Sequence, residues 1–371
     1  MARKLVIAAV CARPYVEMAC AAGYEVLALD AFADEDTSTL ASQALRLPYA
    51  ECGFERGAFE AALSAICREH ECAGFLYGSG FEADPALLGM VSARMPLIGN
   101  AADVVARAKS VPGFFSLLAE LDIPHPPTSK RSPNTKCGWL LKREGGSGGT
   151  HVRRADRSAG PGEYFQQELA GVPVSLLFAA DGANVRVIGY NMQKVAASAK
   201  MPFRYGGLVS NVRLPADCCE VLRKAALTLT QTLRLRGLNS VDAVLTPDGR
   251  TFVLELNPRL TASAAAYRTH PGLLAIHLDA CQGRLHDVDV EPVSQAQAVC
   301  YAREDFTVPC NLDWPAWASD LPAAGSRIVA GDPVCSVYAE AADAGVAEAL
   351  AQHRLQAIAE LQRQAPATVE I

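Results

Sequence analysis

The 371-residue chain lacks most of the short signatures that nucleotide, metal and membrane proteins carry. It has no Gly-Lys-Ser or Gly-Lys-Thr, which excludes a P-loop. The first predicted strand-to-helix turn, Cys11 to Pro14, contains no glycine; this removes the dinucleotide fingerprint, although Asp30 closes the second strand where such folds keep an acid. Cysteine is present twelve times (11, 20, 52, 67, 72, 137, 218, 219, 281, 300, 310, 335), but never as Cys-x-x-Cys, and no histidine stands at zinc-ligand spacing. These residues read as reduced core thiols. The N-terminal run from Met1 to Val10 leads straight into a strand pattern, its apolar stretch too short for a signal peptide or a membrane span, so a cytoplasmic protein is expected. Positive charge is also short: 34 basic against 40 acidic residues leave a net charge of -6, with no broad attraction to nucleic acid or anionic membrane. Any phosphate binding must be local. There is no internal repeat, no low-complexity segment and no evident Ser-His-Asp set.

What is present supports two or three domains with ample apolar content. Residues 4–10 read as a buried strand, 14–23 as a helix ending at Gly23, and 24–30 as a second strand. A helix at 57–70 and a strand at 73–77 continue the alternation, which predicts an open parallel sheet. The turn at Gly78 to Gly80 then lies at a carboxyl strand end. A helix over 101–120 carries Lys109, and the Pro-rich run 123–127 acts as a stiff connector. Beyond it come strand, glycine loop and strand within 138–170, an extended segment at 172–195 and a helix at 216–236. Past about 290, short strands at 296–303 and 326–339, the latter broken by Gly331, Asp332 and Pro333, precede a helix whose Val346, Leu350, Ile358 and Leu361 form one apolar stripe.

The most informative stretch is 241–259, two apolar runs joined by Pro247, Asp248 and Gly249. Pairing Thr246 with Thr251 sets Leu245 opposite Phe252 and Asp242 opposite Glu255. Opposed Cβ atoms sit about 5 Å apart, where two like charges repel by roughly 3 kcal/mol at an effective dielectric of about 20. Alternation places Asn257 on the face of Glu255. Two anionic oxygens and one neutral one suit Mg²⁺ or Mn²⁺ bridged to phosphates. The alternative is a solvated strand pair; against it, Val253, Leu254 and Leu256 flank Glu255 and argue for an interior strand.

Upstream, the predicted strand ending at Lys142 runs into Gly145, Gly146, Ser147, Gly148 and Gly149. Without Cβ atoms, such a loop brings backbone N–H groups close to phosphate oxygens, and Lys142 adds a point charge; otherwise it is a flexible turn. The run 163–171 is a further strand ending as a hinge, whose backbone at Gln167 and Leu169 could pair with an adenine edge.

Lys109, Lys142, the flap 145–149, the hinge Gln167 to Gly171, Asp242 and the set Glu255, Asn257, Pro258, Arg259 resemble, in this order, the ATP-grasp superfamily over roughly residues 5–280. The resemblance implies a mixed α/β and α+β chain: an open parallel sheet over 1–105, two lobes clamping ATP over 106–166 and 167–290, and a β-rich segment with a terminal helix over 291–371. It implies that Lys109, Lys142 and the flap touch the phosphates, and that Gln166, Gln167, Glu168 and Leu169 hold adenine. Asp242, Glu255 and Asn257 would bind metal ions, and Arg259 would stabilise the transferring phosphoryl group. One departure is Val172 to Val174, where relatives often carry a glutamate for the ribose.

Asn191 to Lys194, Phe203 to Gly207, Leu214 and Pro215, and the run from Asp320 to Cys335 are similar to a subgroup of amino-acid ligases that includes the tyramine–glutamate ligase of methanofuran biosynthesis. That likeness makes Lys194 a catalytic candidate and Arg204, Tyr205 and Arg213 substrate contacts, with surface charge as the alternative. The implied activity is an ATP-dependent carboxylate–amine ligase working through an acyl phosphate, with small-molecule acid and amine substrates; the alternatives are a carboxylase, an acid–thiol ligase or a non-catalytic ATP-binding regulator. No nucleic-acid or membrane partner is expected, and a homodimer is left open.

Overall fold

Leu5 to Ala9 are all buried, which a strand manages only when both faces of its sheet are covered. In the computed structural model, which describes residues 3–50 and 53–364, this strand, β1 (Lys4–Ala9), lies at the centre of a five-stranded parallel sheet. Around it come α1 (Arg13–Ala21), β2 (Glu25–Asp30), α2 (Glu35–Leu40), β3 (Gln43–Arg46), α3 (Arg56–Glu69), β4 (Gly74–Tyr77), α4 (Ala86–Ser92) and β5 (Leu97–Ile98). The strand order is β3-β2-β1-β4-β5, and the sheet is the open parallel one that the alternation predicts. Asp30 serves the backbone: its carboxylate accepts the N–H groups of Ala12, Phe32 and Ala33 and so ties down the turns after β1 and β2.

The helix expected over 101–120 is two helices, α5 (Ala102–Lys109) and α6 (Gly113–Glu120). Pro112 separates them: it has no N–H to donate and it disfavours helical geometry at Val111. The break leaves Lys109 as the last residue of α5. Next, β6 (Thr128–Ser129), β7 (Trp139–Arg143), β8 (Arg153–Arg154) and β9 (Glu163–Gln167) form an antiparallel sheet in the order β8-β7-β9-β6.

An eight-stranded sheet follows. It is built from β10 (Val172–Asp181), β11 (Val185–Val195), β12 (Tyr205–Val209), β13 (Arg236–Leu245), β14 (Thr251–Asn257), β15 (Ser294–Tyr301), β16 (Ala318–Ser319) and β17 (Pro333–Ala341). Its order is β14-β13-β10-β11-β12-β15-β17-β16, so the C-terminal strands extend this sheet through the β12–β15 pairing. Three helices complete the chain: α7 (Ala216–Leu233), α8 (Leu273–Cys281) and α9 (Ala344–Gln364). The period-two pattern of β10 divides its side chains between two cores. Val174, Leu176, Phe178 and Ala180 pack with α6 and α7, while Leu177 and Ala179 pack with α8 and the first sheet.

The C-terminal run expected at 326–339 with a break at Gly331 to Pro333 is a two-residue strand at Arg327–Ile328 and then β17, with Pro333 at the strand start. Two further expectations are corrected. On α9, Ile358, Leu350 and Leu361 of the expected stripe do pack into the core, together with Ala347 and Ala351, but Val346 lies a quarter-turn from Ala347 and is 58% exposed. Cys67, Cys137 and Cys310 are exposed, so the thiols are not all core residues; the described cysteines are free, and Cys52 lies outside the described residues.

Candidate active site

The hairpin β13–β14 brings Asp242 opposite Glu255, but by a different register than the turn suggested. Leu245 pairs with Thr251, Val244 with Phe252 and Ala243 with Val253, so the loop is one residue longer than expected. A bulge then leaves Leu254 without a partner and shifts the ladder by one, which restores Asp242 to Glu255 and places Ser240 opposite Asn257. The two departures cancel. Without the bulge the Glu255 side chain would leave this face.

The Asn257 amide donates to Asp242 (3.0 Å) and to Glu255 (3.3 Å), while its carbonyl oxygen accepts from Lys109 (2.8 Å). The Lys109 ammonium also lies 3.4 Å from Glu255. Burial and the facing Glu255 charge push the Asp242 carboxyl up to about 7. Burial pushes Glu255 the same way, but Lys109 and Lys142 reverse it and hold that carboxyl well below the usual range. The pair thus settles as one firmly ionised acid beside one that readily holds a proton. Gln193 of β11, which sequence reasoning missed, adds a hydrogen bond to Asp242.

Arg259 follows Pro258 just past β14 and is almost fully buried. Its Nε donates to the Glu82 carboxylate, Nη1 to the Leu260 carbonyl (3.0 Å) and Nη2 to Asn257 (3.3 Å). Glu82 in turn accepts the N–H groups of Gly80 (2.7 Å) and Phe81 (3.0 Å), so the turn after β4 sets this carboxylate. The Arg259 charge outweighs burial and keeps Glu82 ionised. Sequence reasoning noticed the turn and missed the acid. Its only signal is a carboxylate next to Phe81 in an otherwise apolar run.

On the facing sheet, Tyr164 pairs with Lys142 and Gln166 with Leu140, so Lys142, Tyr164 and Gln166 share one face. The Lys142 ammonium donates to the Gln166 carbonyl oxygen at 3.1 Å. Burial lowers the Lys142 pKa against the pull of Glu255 and Asp242. The Gln166 amide nitrogen is buried with no partner among the described residues. Of the expected adenine contacts, the Gln167 N–H is already given to Pro127 (2.9 Å) and the Glu168 N–H to Gly138 (2.8 Å), while Glu168 also pairs with Arg154. Among the described residues, the Leu169 N–H has no backbone partner.

The glycine loop spans the gap between the sheets. A Cβ on Gly149, whose φ is +69°, would lie 2.0 Å from the Phe203 carbonyl oxygen, and one on Gly146 would lie 2.3 Å from the His151 ring. The Gly148 carbonyl accepts the Tyr205 N–H (2.8 Å), and Ser147 hydrogen-bonds the His151 ring. His151, a third residue missed from sequence, is pushed down to about 4 by burial and by Lys142, and is therefore neutral. Loop and sheets border a narrow, partly open cleft lined by Lys109, Phe115, Gly146, His151, Tyr164 and Glu255.

The remaining predicted residues do not converge here. Lys194 neighbours Gln193 and so points to the opposite face, where it pairs with Glu348 of α9 at 2.6 Å. Arg204 donates to the carbonyls of Ala196 (3.1 Å) and Gly331 (2.8 Å) and lies 3.4 Å above the Tyr301 ring, a structural staple. Arg213 is exposed in the loop before α7. Tyr205 alone faces the Asp242 side, with its hydroxyl donating to Gln297 at 3.2 Å.

Chemically, two lysines, an arginine and a glycine loop face a pair of carboxylates and an amide. Lys109 stands in for a cation on Asn257 and Glu255, so the donor set accepts positive charge in this place. Among the described residues, no group of three or more histidine, cysteine or acidic side chains is arranged to hold a metal ion. No helix is long and apolar enough to cross a membrane.

No curated protein matches this chain. Solved structures do. The L-amino acid ligase from Bacillus licheniformis aligns with a TM-score of 0.70 at 14% identity, covering 96% of this chain and 97% of that one. The N5-carboxyaminoimidazole ribonucleotide synthetase from Thermotoga maritima aligns at 0.66 and 13%, covering 95% and 98%. The biotin carboxylase domain of the Hydrogenobacter thermophilus 2-oxoglutarate carboxylase, a dimer in complex with MgADP and bicarbonate, aligns at 0.71 and 12%, covering 96% and 90%. Residues 114–263, from α6 through the carboxylate hairpin, match the family model described as an ATP-grasp domain, and the chain as a whole has the ATP-grasp fold.

Proposed function

We propose that this chain is an ATP-dependent carboxylate–amine ligase that forms an amide through an acyl phosphate and releases ADP and phosphate. The observation that carries the reading is the convergence of Lys109, Asp242, Glu255, Asn257 and Arg259 across the cleft from Lys142 and the glycine loop. A carboxylate is a poor acyl donor because oxide cannot leave, whereas phosphate can. What the protein must supply is positioned charge and exclusion of water. Lys142 and the loop N–H groups would hold the phosphates, with the Gln166 amide reaching the nucleotide. Arg259, fixed by Glu82, would stabilise charge on the transferring phosphoryl. Asp242, Glu255 and Asn257 would hold Mg²⁺ or Mn²⁺ in place of the Lys109 ammonium, and such an ion, when bound, neutralises phosphate charge.

The finer reading, glutamate joined to an amine in cofactor biosynthesis, has the sequence likeness at 191–194 and 203–207 as its support; Lys194, Arg204 and Arg213 add nothing to it from their positions. A carboxylase is favoured only by kinship of fold with several carboxylase neighbours, one of them bicarbonate-bound. A homodimer is the proposed assembly, to be checked by sedimentation. The deciding experiment is ADP release with Mg²⁺ across a panel of acids and amines, with and without bicarbonate. Release that needs both an acid and an amine supports the ligase. Dependence on bicarbonate replaces it with a carboxylase, and tight ATP binding with no ADP from any pair replaces it with a nucleotide-binding regulator.

A further inference from the structure

Cys300 and Cys335 stand directly opposite each other on β15 and β17. Both are buried, at 6% and 2% exposure, in the apolar layer beneath α9. The two thiols contact each other, and Gln362 of α9 donates its amide to the Cys300 sulfur at 3.6 Å. The nucleotide chemistry has no use for this pair. Gln297 and Tyr338, which hydrogen-bond each other at 3.0 Å, belong to the opposite face of the same two strands, where Gln297 meets Tyr205.

Buried cysteines in most cores are simply small apolar side chains. Direct opposition sets this pair apart. Opposed Cβ atoms lie about 4.5–5.5 Å apart, and a disulfide needs about 3.5–4.5 Å. The register slips between Cys300 and Tyr301, and a bulge bends and twists its strand, which gives the backbone freedom to close that difference. The two sulfurs are also unequal. Contact with Cys335 outweighs burial and lowers the Cys300 pKa, with Gln362 and Arg303 adding to it, whereas the contact with Cys300 and burial both raise Cys335. Cys300, whose sulfur alone receives the Gln362 amide among the described residues, is the one placed to attack, and Cys335 the one placed to resolve.

We propose that Cys300 and Cys335 form a peroxide-oxidisable dithiol that fastens the C-terminal strands to one another. The Cys300 thiolate attacks hydrogen peroxide; an S–O bond forms, the O–O bond breaks, and the departing hydroxide takes a proton and leaves as water. The Cys335 sulfur then attacks the sulfenic sulfur of Cys300. The S–S bond forms, the S–O bond breaks, and the hydroxide leaves as a second water with the Cys335 proton. Two thiols and one peroxide become one disulfide and two waters.

The test treats the full chain with hydrogen peroxide, blocks the remaining thiols and maps the peptides by mass spectrometry. The expected result is a linked peptide pair containing Cys300 and Cys335, together with a rise of several degrees in the thermal unfolding midpoint, since the bond closes the long loop 301–334. Both effects are reversed by dithiothreitol and are absent in Cys300→Ser. Cys335→Ser, shown by circular dichroism to be folded, should leave a sulfenic acid on Cys300 that dimedone traps. The proposal is overturned if Cys67, Cys137 and Cys310 are modified while Cys300 and Cys335 are recovered as free thiols. It is equally overturned if the linked pair forms only in denaturant, or if folded Cys335→Ser carries no sulfenic acid at Cys300.

Discussion

Two stretches of the eight-stranded sheet carry the charges that sequence reading sends to the reaction centre: the hairpin β13–β14, and the run from Asn191 to Arg213 across β11 and β12. In the hairpin, Asp242 and Glu255 repel each other, and the cations that offset them, Lys109, Lys142 and Arg259, all belong to the cleft. In the second stretch the buried or half-buried cations are already satisfied. Lys194 has Glu348, and Arg204 has two carbonyls and an aromatic ring. The charges that matter for function are those the fold leaves under-compensated, and residue type alone does not reveal which those are.

The hardest blow to that contrast falls on Glu255. Glu255→Ala removes the ionised partner of Lys109 and one of the three oxygen donors on this face. ADP release should fall on the order of a thousandfold or more, with circular dichroism unchanged. Turnover near that of the parent chain would end the assignment of this face as the cation site.

Glu82→Gln sharpens the same contrast from outside the hairpin. The Arg259 guanidinium would lose its charged partner in a nearly water-free pocket, a loss that typically costs about 3–5 kcal/mol when one member of a buried pair is removed. The retained amide oxygen places Glu82→Gln toward the lower figure. Because Arg259 then turns from its position beside Asn257, turnover should fall by roughly a hundredfold. A urea melt and kcat measured on the folded fraction separate the two effects. An unchanged melt would show that Glu82 does not hold Arg259.

These residues also mark how far the sequence could be read. Period-two alternation and the apolar neighbours of Glu255 suffice to put Asp242, Glu255 and Asn257 on one face, because those rules are local. The long turn and the compensating bulge at Leu254 are invisible locally, and the correct pairing of Asp242 with Glu255 emerged from two errors that cancel. The Glu82–Arg259 contact spans 177 positions, and His151 acquires its role only when the loop folds over Lys142. The parallel sheet of the first hundred residues was legible from its βαβ rhythm. Lys194 was misplaced because a strand-end lysine beside a motif-like run looks the same whether it faces Asp242 or α9.

A pH titration probes the hairpin with no chemistry at all. The Asp242 carboxyl is raised in the folded chain, from an ordinary value of 3.8 to about 7. A raised carboxyl stabilises the fold fully below its unfolded pKa, and that contribution is lost as pH climbs through the folded value. Stability of the nucleotide-free chain should therefore decline between about pH 4 and 7 by an amount on the order of a few kcal/mol, and Asp242→Asn should flatten that slope. Glu255, held low, acts oppositely and loses its contribution only at strongly acidic pH. Saturating Mg²⁺ with ATP should also flatten the decline, since a bound cation favours the ionised pair. Urea midpoints across this range, with and without Asp242→Asn, check the sign.

The smallest effect belongs to Lys194→Ala, and its smallness is the point. The Lys194–Glu348 pair is partly exposed, at 26% and 36% of the two side chains, so its removal should cost only about 0.2–1 kcal/mol. Its position on the α9 face keeps the ammonium away from Asp242, and kcat/KM should stay within about threefold of the parent, a change worth under 1 kcal/mol. Arg213→Ala, exposed in its loop, should behave alike. A loss of a hundredfold in either would mean that substrates draw this stretch into the centre on binding, and the distinction between compensated and uncompensated charge would then hold only for the unliganded fold.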